Sequence, residues 1–139
     1  MKKTKRYSGV LVKCKDEVLL CKRSSDGSLP GQWSIPAGNL NENESAVDGA
    51  RRESFEETDI KIFGKLEIIG FINRKNRIGS KTKGLMHVFL WEVDKKQYPN
   101  LENAVDGEEH SECGYFNLSN LPLDESDQLY KVIQNVLTK

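Results

Sequence analysis

Apolar positions along this chain follow two periods. The runs 7–14 (YSGVLVKC) and 17–23 (EVLLCKR) are short, rich in Val and Leu, and separated by Lys15-Asp16, a pattern that predicts an antiparallel hairpin. Residues 24–32 (SSDGSLPGQ) cluster Ser, Asp, Gly and Pro and predict a loop, with a short strand at 33–35 that delivers Gly38. From 45 to 58, Ala46, Val47, Ala50 and Phe55 anchor a helix, with Ser45 or the Asn and Glu residues before it as the cap. The run 60–72 (IKIFGKLEIIGFI) predicts a strand broken at Gly64. The clearest strand is 84–94, apolar on both alternate sets of positions, so both faces of its sheet are covered. A short strand at 114–118 and a helix from 124 to 137, with Leu129, Val132, Ile133, Val136 and Leu137 on one side, complete the pattern. Strands with one helix in the middle and one at the end predict an α+β layered sandwich around a mixed sheet.

At 139 residues the chain suits one domain, 1–139, with the basic 1–6 (MKKTKR) as a flexible start. Lys plus Arg and Asp plus Glu stand at 21 each, so no global field holds nucleic acid or a membrane surface. Three cysteines, Cys14, Cys21 and Cys113, without CxxC spacing, argue against a disulfide framework and a zinc ribbon and predict buried small apolar residues. The apolar run after the basic start is too short for a signal peptide, and no segment approaches the roughly 20 apolar residues of a membrane span. The expectation is a soluble cytoplasmic protein, either monomer or homodimer.

The chemistry concentrates in 38–60, GNLNENESAVDGARRESFEETDI, which spaces Gly38, Glu44, Arg52, Glu53, Glu56, Glu57 and Ile60 as G-x5-E-x7-R-E-x-x-E-E-x-x-I. On a helix Glu53, Glu56 and Glu57 project from one face, where like charges repel by roughly 0.2–0.5 kcal/mol per pair. Arg52 offsets part of that repulsion, and a hard divalent cation is the natural remaining partner, since Mg²⁺ takes carboxylate and phosphate oxygens. At Gly38 the missing Cβ lets backbone approach an ion or phosphate closely. The alternative is a solvated acidic helix face.

This stretch resembles the Nudix box, and Leu29 to Gly38 (LPGQWSIPAG) is similar to the Trp-x-x-Pro-Gly-Gly approach that often precedes it. Ser54 stands where an aliphatic residue is usual, and Asp59 where glycine is usual, a substitution Asp tolerates better than most residues. The resemblance implies an α/β/α sandwich with a loop-helix-loop box, and a small MutT-like hydrolase cleaving a nucleoside diphosphate linked to another moiety. It implies Mg²⁺ as cofactor, with Mn²⁺ as substitute. Glu53 and Glu57 would be the first metal ligands, Glu56 a ligand or the group that positions one, and the Gly38 carbonyl a completing ligand. Arg52 would orient a glutamate, Glu53 or Glu56 could act in catalysis, and Glu44 would support the loop.

In 106–118 (DGEEHSECGYFNL), similar to the Glu-rich segment near the end of such domains, Glu112 is the first candidate for an extra base or ligand and Glu109 the second. His110 reads as a surface residue, since no second His sits at zinc spacing, and His87 as a satisfied core or pocket histidine. Arg23 ends a strand just before the box loop and is the candidate phosphate contact. Trp33 and Tyr115 could stack a base, although aromatics on strands more often pack a core. The basic loop 73–84 either clamps distal phosphates, touches RNA, or is an exposed hairpin tip.

No proline lies between Pro36 and Pro99, which disfavours ADP-ribose-cleaving members, and no tyrosine between Tyr7 and Tyr98, which disfavours the dinucleoside polyphosphate group. A nucleoside triphosphate is therefore the leading substrate. A nucleoside diphosphate sugar (suggested by Ala37), an RNA 5′ end, and a sensor that binds nucleotide without turnover are the alternatives.

Overall fold

The computed structural model describes residues 5–24, 30–75 and 83–139. Chain order is β1 (Lys5–Cys14), β2 (Glu17–Arg23), β3 (Trp33–Ser34), β4 (Ala37–Asn39), α1 (Ala46–Thr58), β5 (Glu67–Lys75), β6 (Lys83–Val93), β7 (His110–Phe116) and α2 (Gln128–Leu137), with 3₁₀ turns at Gly107–Glu109 and Leu118–Asn120. The strands form one mixed sheet whose main path runs β3-β2-β1-β6-β5. Among the described residues its one parallel pairing, β1 with β6, runs from Lys5 opposite Gly84 to Cys14 opposite Val93.

β1 and β2 pair only at Lys13 with Val18 and Cys14 with Glu17. Beyond that they part, and the notch receives the 33–39 segment. β3 pairs with β2 at Cys21 and Lys22, and β4 pairs with β1 from Tyr7 to Gly9. This insertion sets Gly38 opposite Ser8, whose hydroxyl donates to the Ala46 carbonyl at 2.5 Å and ties the start of α1 to the sheet.

Both sheet faces are buried, as the pattern of β6 requires. Val10, Val12, Phe89 and Trp91 pack with Ala50, Ile60 and Ile62 on the α1 side. Leu11, Val18, Leu20, Met86, Val88 and Leu90 pack with Leu129 and Ile133 on the α2 side. Burying one such side chain contributes about 1.5–3 kcal/mol, so the two clusters are the main apolar source of stability.

Several element boundaries differ from the expected ones. Lys5 and Arg6 belong to β1 rather than to a flexible start, while residues 1–4 lie outside the described ones. The run 60–66 is not strand. Ile60 and Ile62 bury under α1, and Arg51 holds the backbone by donating to the carbonyls of Ile62 (3.1 Å) and Gly64 (2.6 Å), so pairing begins only at Glu67. α2 starts at Gln128 because the Asp127 side chain caps it through the Leu129 N–H, 2.8 Å. β7 starts at His110, four residues earlier than expected. The basic 73–84 run lies largely outside the described residues.

The cysteine expectation also needs correction. Cys14 is a free buried thiol, but Cys21 and Cys113 face each other across β2 and β7 and form a disulfide spanning 92 residues of sequence. A cross-link closing so long a loop stabilises by about 2–4 kcal/mol, chiefly by restricting the unfolded chain. Thermal melts with and without dithiothreitol should therefore separate by several degrees, and coincident melts would contradict the link. Among the described residues no helix is long and apolar enough to cross a membrane.

Candidate active site

α1 is placed by local chemistry at both ends. The Ser45 hydroxyl accepts from the Asp48 N–H at 3.2 Å at the start, and Asp59 adopts the left-handed conformation (φ 64°) that ends the helix, returning its N–H to the Phe55 carbonyl. Ala50, Ser54, Glu57 and Thr58 face the sheet and are buried. Ser54 fills its place without a hydrogen-bond partner for its hydroxyl among the described residues, the less apolar underside its sequence implies.

Arg52 organises the carboxylates. Its Nε donates to Glu44 Oε2 (2.8 Å) and its Nη2 to Glu44 Oε1 (2.9 Å), a two-point fork. Nη1 reaches Glu53 Oε1 at 2.8 Å and Glu56 Oε1 at 2.9 Å, and Nη2 also reaches the Asn39 carbonyl at 2.9 Å. Glu44 in turn accepts from the Asn41 N–H at 2.9 Å, so it fastens the entry loop to the helix, the supporting role expected of it. The Arg52 fork holds the Glu44 carboxyl at about 2, well below its ordinary 4.5. Its contribution to stability is therefore complete above about pH 4.5 and is lost as pH falls toward 2. Replacing Glu44 by Gln should cost stability at about pH 7 and cost much less at about pH 3 in urea titrations. An equal cost at both would contradict this role.

The site is closed from the other side by 100–110. This segment docks on the C-terminal end of α1, with the Asn100 N–H on the Thr58 carbonyl (2.9 Å), the Asp106 N–H on the Glu56 carbonyl (2.7 Å) and Asn103 Nδ2 on Asp59 Oδ2 (2.9 Å). Helix carbonyls left without intrahelical donors thereby find partners. A Cβ at Gly107 would run into the Leu101 carbonyl, so only glycine fits this close passage.

His110 then meets Glu57, with Nε2 2.6 Å from Oε1 and both side chains essentially inaccessible. His110 is thus buried, not on the surface as its sequence context suggests. Between Lys22 and Arg23 the β2–β7 register shifts, with Lys22 opposite Glu112 but Arg23 opposite His110, leaving Ser111 as the extra residue. Cys113 and Tyr115 pack on the α1 side and Phe116 on the α2 side. Alternation therefore turns Glu112 toward the α2 side and, along β2 from Leu19, Arg23 toward α1, and the bulge turns His110 toward α1 as well. Glu112, exposed on the opposite face, is not brought to the cluster, whereas Glu109 is. His87 is the satisfied histidine expected, with Nδ1 3.1 Å from the Tyr7 carbonyl oxygen. Trp33 packs edge-on against Phe116, and Tyr115 donates to the Gln97 carbonyl at 2.7 Å, so both have structural partners.

The electrostatics express a shortage of positive charge. Burial raises the Glu57 carboxyl well above 4.5, and Glu109 and Glu53 push it further, against the pull of Arg23. Burial likewise raises Glu53, although Arg52 opposes it, and raises Glu109, with Arg23 opposing. Burial, then Arg23, lowers His110 to about 4, so the ring is neutral near pH 7. The backbone is shaped for the same cluster: a Cβ at Gly38 would occupy the space of the Glu53 carboxylate. Oxygen donors of this type, crowded and reluctant to ionise, fit a hard divalent cation. Among the described residues no three His, Cys, Asp or Glu side chains already stand in a ligand-ready cage, since Arg52 holds Glu53 and Glu56.

The family model for the NUDIX domain matches residues 2–136. The chain belongs to the Nudix family. Its box is the loop-helix-loop of Gly38 to Ile60, and with the family comes the enzyme class, a pyrophosphohydrolase. A MutT Nudix hydrolase from Burkholderia pseudomallei has a similar fold (TM-score 0.79, 19% identity, 97% of this chain and 99% of that one). So does a MutT protein from Methanosarcina mazei Go1 (TM-score 0.74, 24% identity, 96% and 93%). A bifunctional NMN adenylyltransferase/ADP ribose pyrophosphatase from Francisella tularensis, complexed with AMP and a Mn ion, matches with TM-score 0.67 and 20% identity over 99% of this chain and 42% of its own. A search of curated protein sequences finds no significant match.

Proposed function

We propose that this Nudix hydrolase cleaves a phosphoanhydride bond of a nucleoside diphosphate linked to another moiety, with Mg²⁺ or Mn²⁺, and that its substrate is a nucleoside triphosphate. The observation that carries this reading is the gathering of Glu53, Glu56, Glu57 and Glu109 around Gly38 and Arg23, with the Glu53, Glu57 and Glu109 carboxyls raised chiefly by burial. Glu53, Glu57 and the Gly38 carbonyl would hold the cation, with Glu56 as a further ligand or support. When bound, it supplies positive charge to the phosphoryl oxygens as the bond to the leaving oxygen breaks.

The chain's own groups do the rest. Arg23, whose charge already acts on Glu57 and Glu109, pairs with a phosphoryl group of the substrate. Arg52 keeps Glu53 and Glu56 at fixed positions. Glu109, at the solvent-facing rim, accepts a proton from the attacking water, the task the sequence assigns first to Glu112. All the box glutamates are present, which favours turnover over a sensor role.

The substrate is tested by a phosphate-release screen with Mg²⁺, with and without a coupled phosphatase, over nucleoside triphosphates, nucleoside diphosphate sugars, dinucleoside polyphosphates and 5′-triphosphorylated RNA. Release of pyrophosphate from a nucleoside triphosphate is the expected result. Preference for a diphosphate sugar would replace the substrate while keeping the chemistry, and tight binding with no turnover across the panel would replace the enzyme by a sensor.

A further inference from the structure

His110 is absent from every role given above, yet it is the most completely enclosed polar side chain touching the cluster. Its side chain has 0% relative exposure and that of Glu57 1%. The ring is fixed by its backbone: it opens β7, directly before the bulge at Ser111, and follows a turn that Gly107 alone can make against Leu101. The other groups acting on Glu57 are the carboxyls of Glu53 and Glu109, which hydrogen-bond with it and whose charges oppose its ionisation, and Arg23, which attracts it through charge. Once these carboxyls ionise to take a cation, Glu53 and Glu109 can only repel Glu57, and the enclosed His110 ring remains as a donor to one of its oxygens.

We infer that His110 is a positioning residue, whose Nε2–H holds Glu57 Oε1 and so leaves Oε2 in a fixed place to bind a divalent cation. This rests on the cation-holding role proposed above for Glu57. Histidine suits the task because its ring nitrogen, enclosed and fixed 2.6 Å from Oε1, can direct one hydrogen bond at that oxygen and leave Oε2 open. Lys or Arg at this position would neutralise the carboxylate and weaken the site, and an apolar residue would leave Oε1 buried without a partner.

The test compares wild type with His110→Phe, which fills the space without a donor, and His110→Gln, which keeps an N–H at similar reach without the ring. The dissociation constant for Mn²⁺ alone is read from the electron paramagnetic resonance signal of free Mn²⁺, with a thermal melt of each cation-free protein beside it. Loss of a group that orients a metal ligand typically costs about 10–100-fold in metal affinity, and that weakening is expected in His110→Phe. His110→Gln should bind Mn²⁺ within about 3-fold of wild type, as recovery of one directed bond requires. Wild-type affinity in His110→Phe overturns the inference, as does equal weakening in both variants, which would make the ring's bulk the relevant property. If His110→Phe does not fold, His110→Gln decides alone, and a tenfold weakening in that folded variant overturns the inference. Wild type that binds no Mn²⁺ overturns the cation site itself, a failure distinct from that of His110.

Discussion

Replacing Glu57 by Gln is expected to lower turnover by about 10²- to 10³-fold, because a bound cation is worth several kcal/mol to the transition state and each 1.4 kcal/mol is a factor of ten. The same substitution should not unfold the protein. The Glu57 carboxyl is buried and its folded pKa lies above the ordinary 4.5. A group raised on folding costs nothing at pH values where it is protonated in both states, and costs progressively more as pH rises from about 4.5 toward the folded pKa. In the absence of cation, Glu57→Gln is therefore expected to match or exceed wild type in stability at about pH 8, with the difference shrinking toward about pH 4.5. The amide can still pair with His110, so no buried polar group is orphaned. Glu53→Gln should lose activity similarly but gain less stability, because Arg52 already supports that carboxylate. Denaturant titrations across this pH range, beside the rates, separate the two effects. A variant with near-normal turnover would remove Glu57 from the site.

Gly38→Ala should nearly abolish activity while scarcely changing stability. The new Cβ would fall on the Glu53 carboxylate, the far end of a side chain that can swing away at little cost. Swinging away takes it from the place where Arg52 holds it, and a misplacement of about 1 Å in a catalytic group is enough to cost roughly 10²-fold. Gly114→Ala provides the control, since a Cβ there meets only the Phe116 ring at ordinary contact distance, 3.5 Å. Comparable activity of Gly38→Ala and Gly114→Ala would show that Gly38 is not shaping the cluster.

The box was legible in sequence because its geometry is local. A helix fixes Glu53, Glu56 and Glu57 on one face whatever the remainder of the chain does, the Ser45 cap and Asp59 turn follow from their own backbones, and Arg52 reaches Glu56 at a spacing helices always bring together. The two-layer core was equally readable from β6, whose apolar residues on both faces require cover on both. What sequence did not show depends on register between distant strands. One extra residue at Ser111 puts His110 on the opposite face from Glu112, where regular alternation would keep the two together, and nothing within 106–118 announces it. The same register brings Cys21 opposite Cys113, although 92 positions separate them. The 60–66 run was misread as strand because burial under α1 and burial in a sheet ask for the same Ile-rich composition, and the deciding contacts come from Arg51.

The most direct measurement is the initial rate of hydrolysis of the substrate found in the screen, as Mg²⁺ is returned to chelator-stripped enzyme, for wild type beside Glu57→Gln. A cation site built on these carboxylates predicts no rate in chelator, saturable recovery with Mg²⁺ in wild type, and recovery lower by about 10²-fold or more in the variant. A rate that survives chelation, or that recovers equally in both proteins, would contradict it.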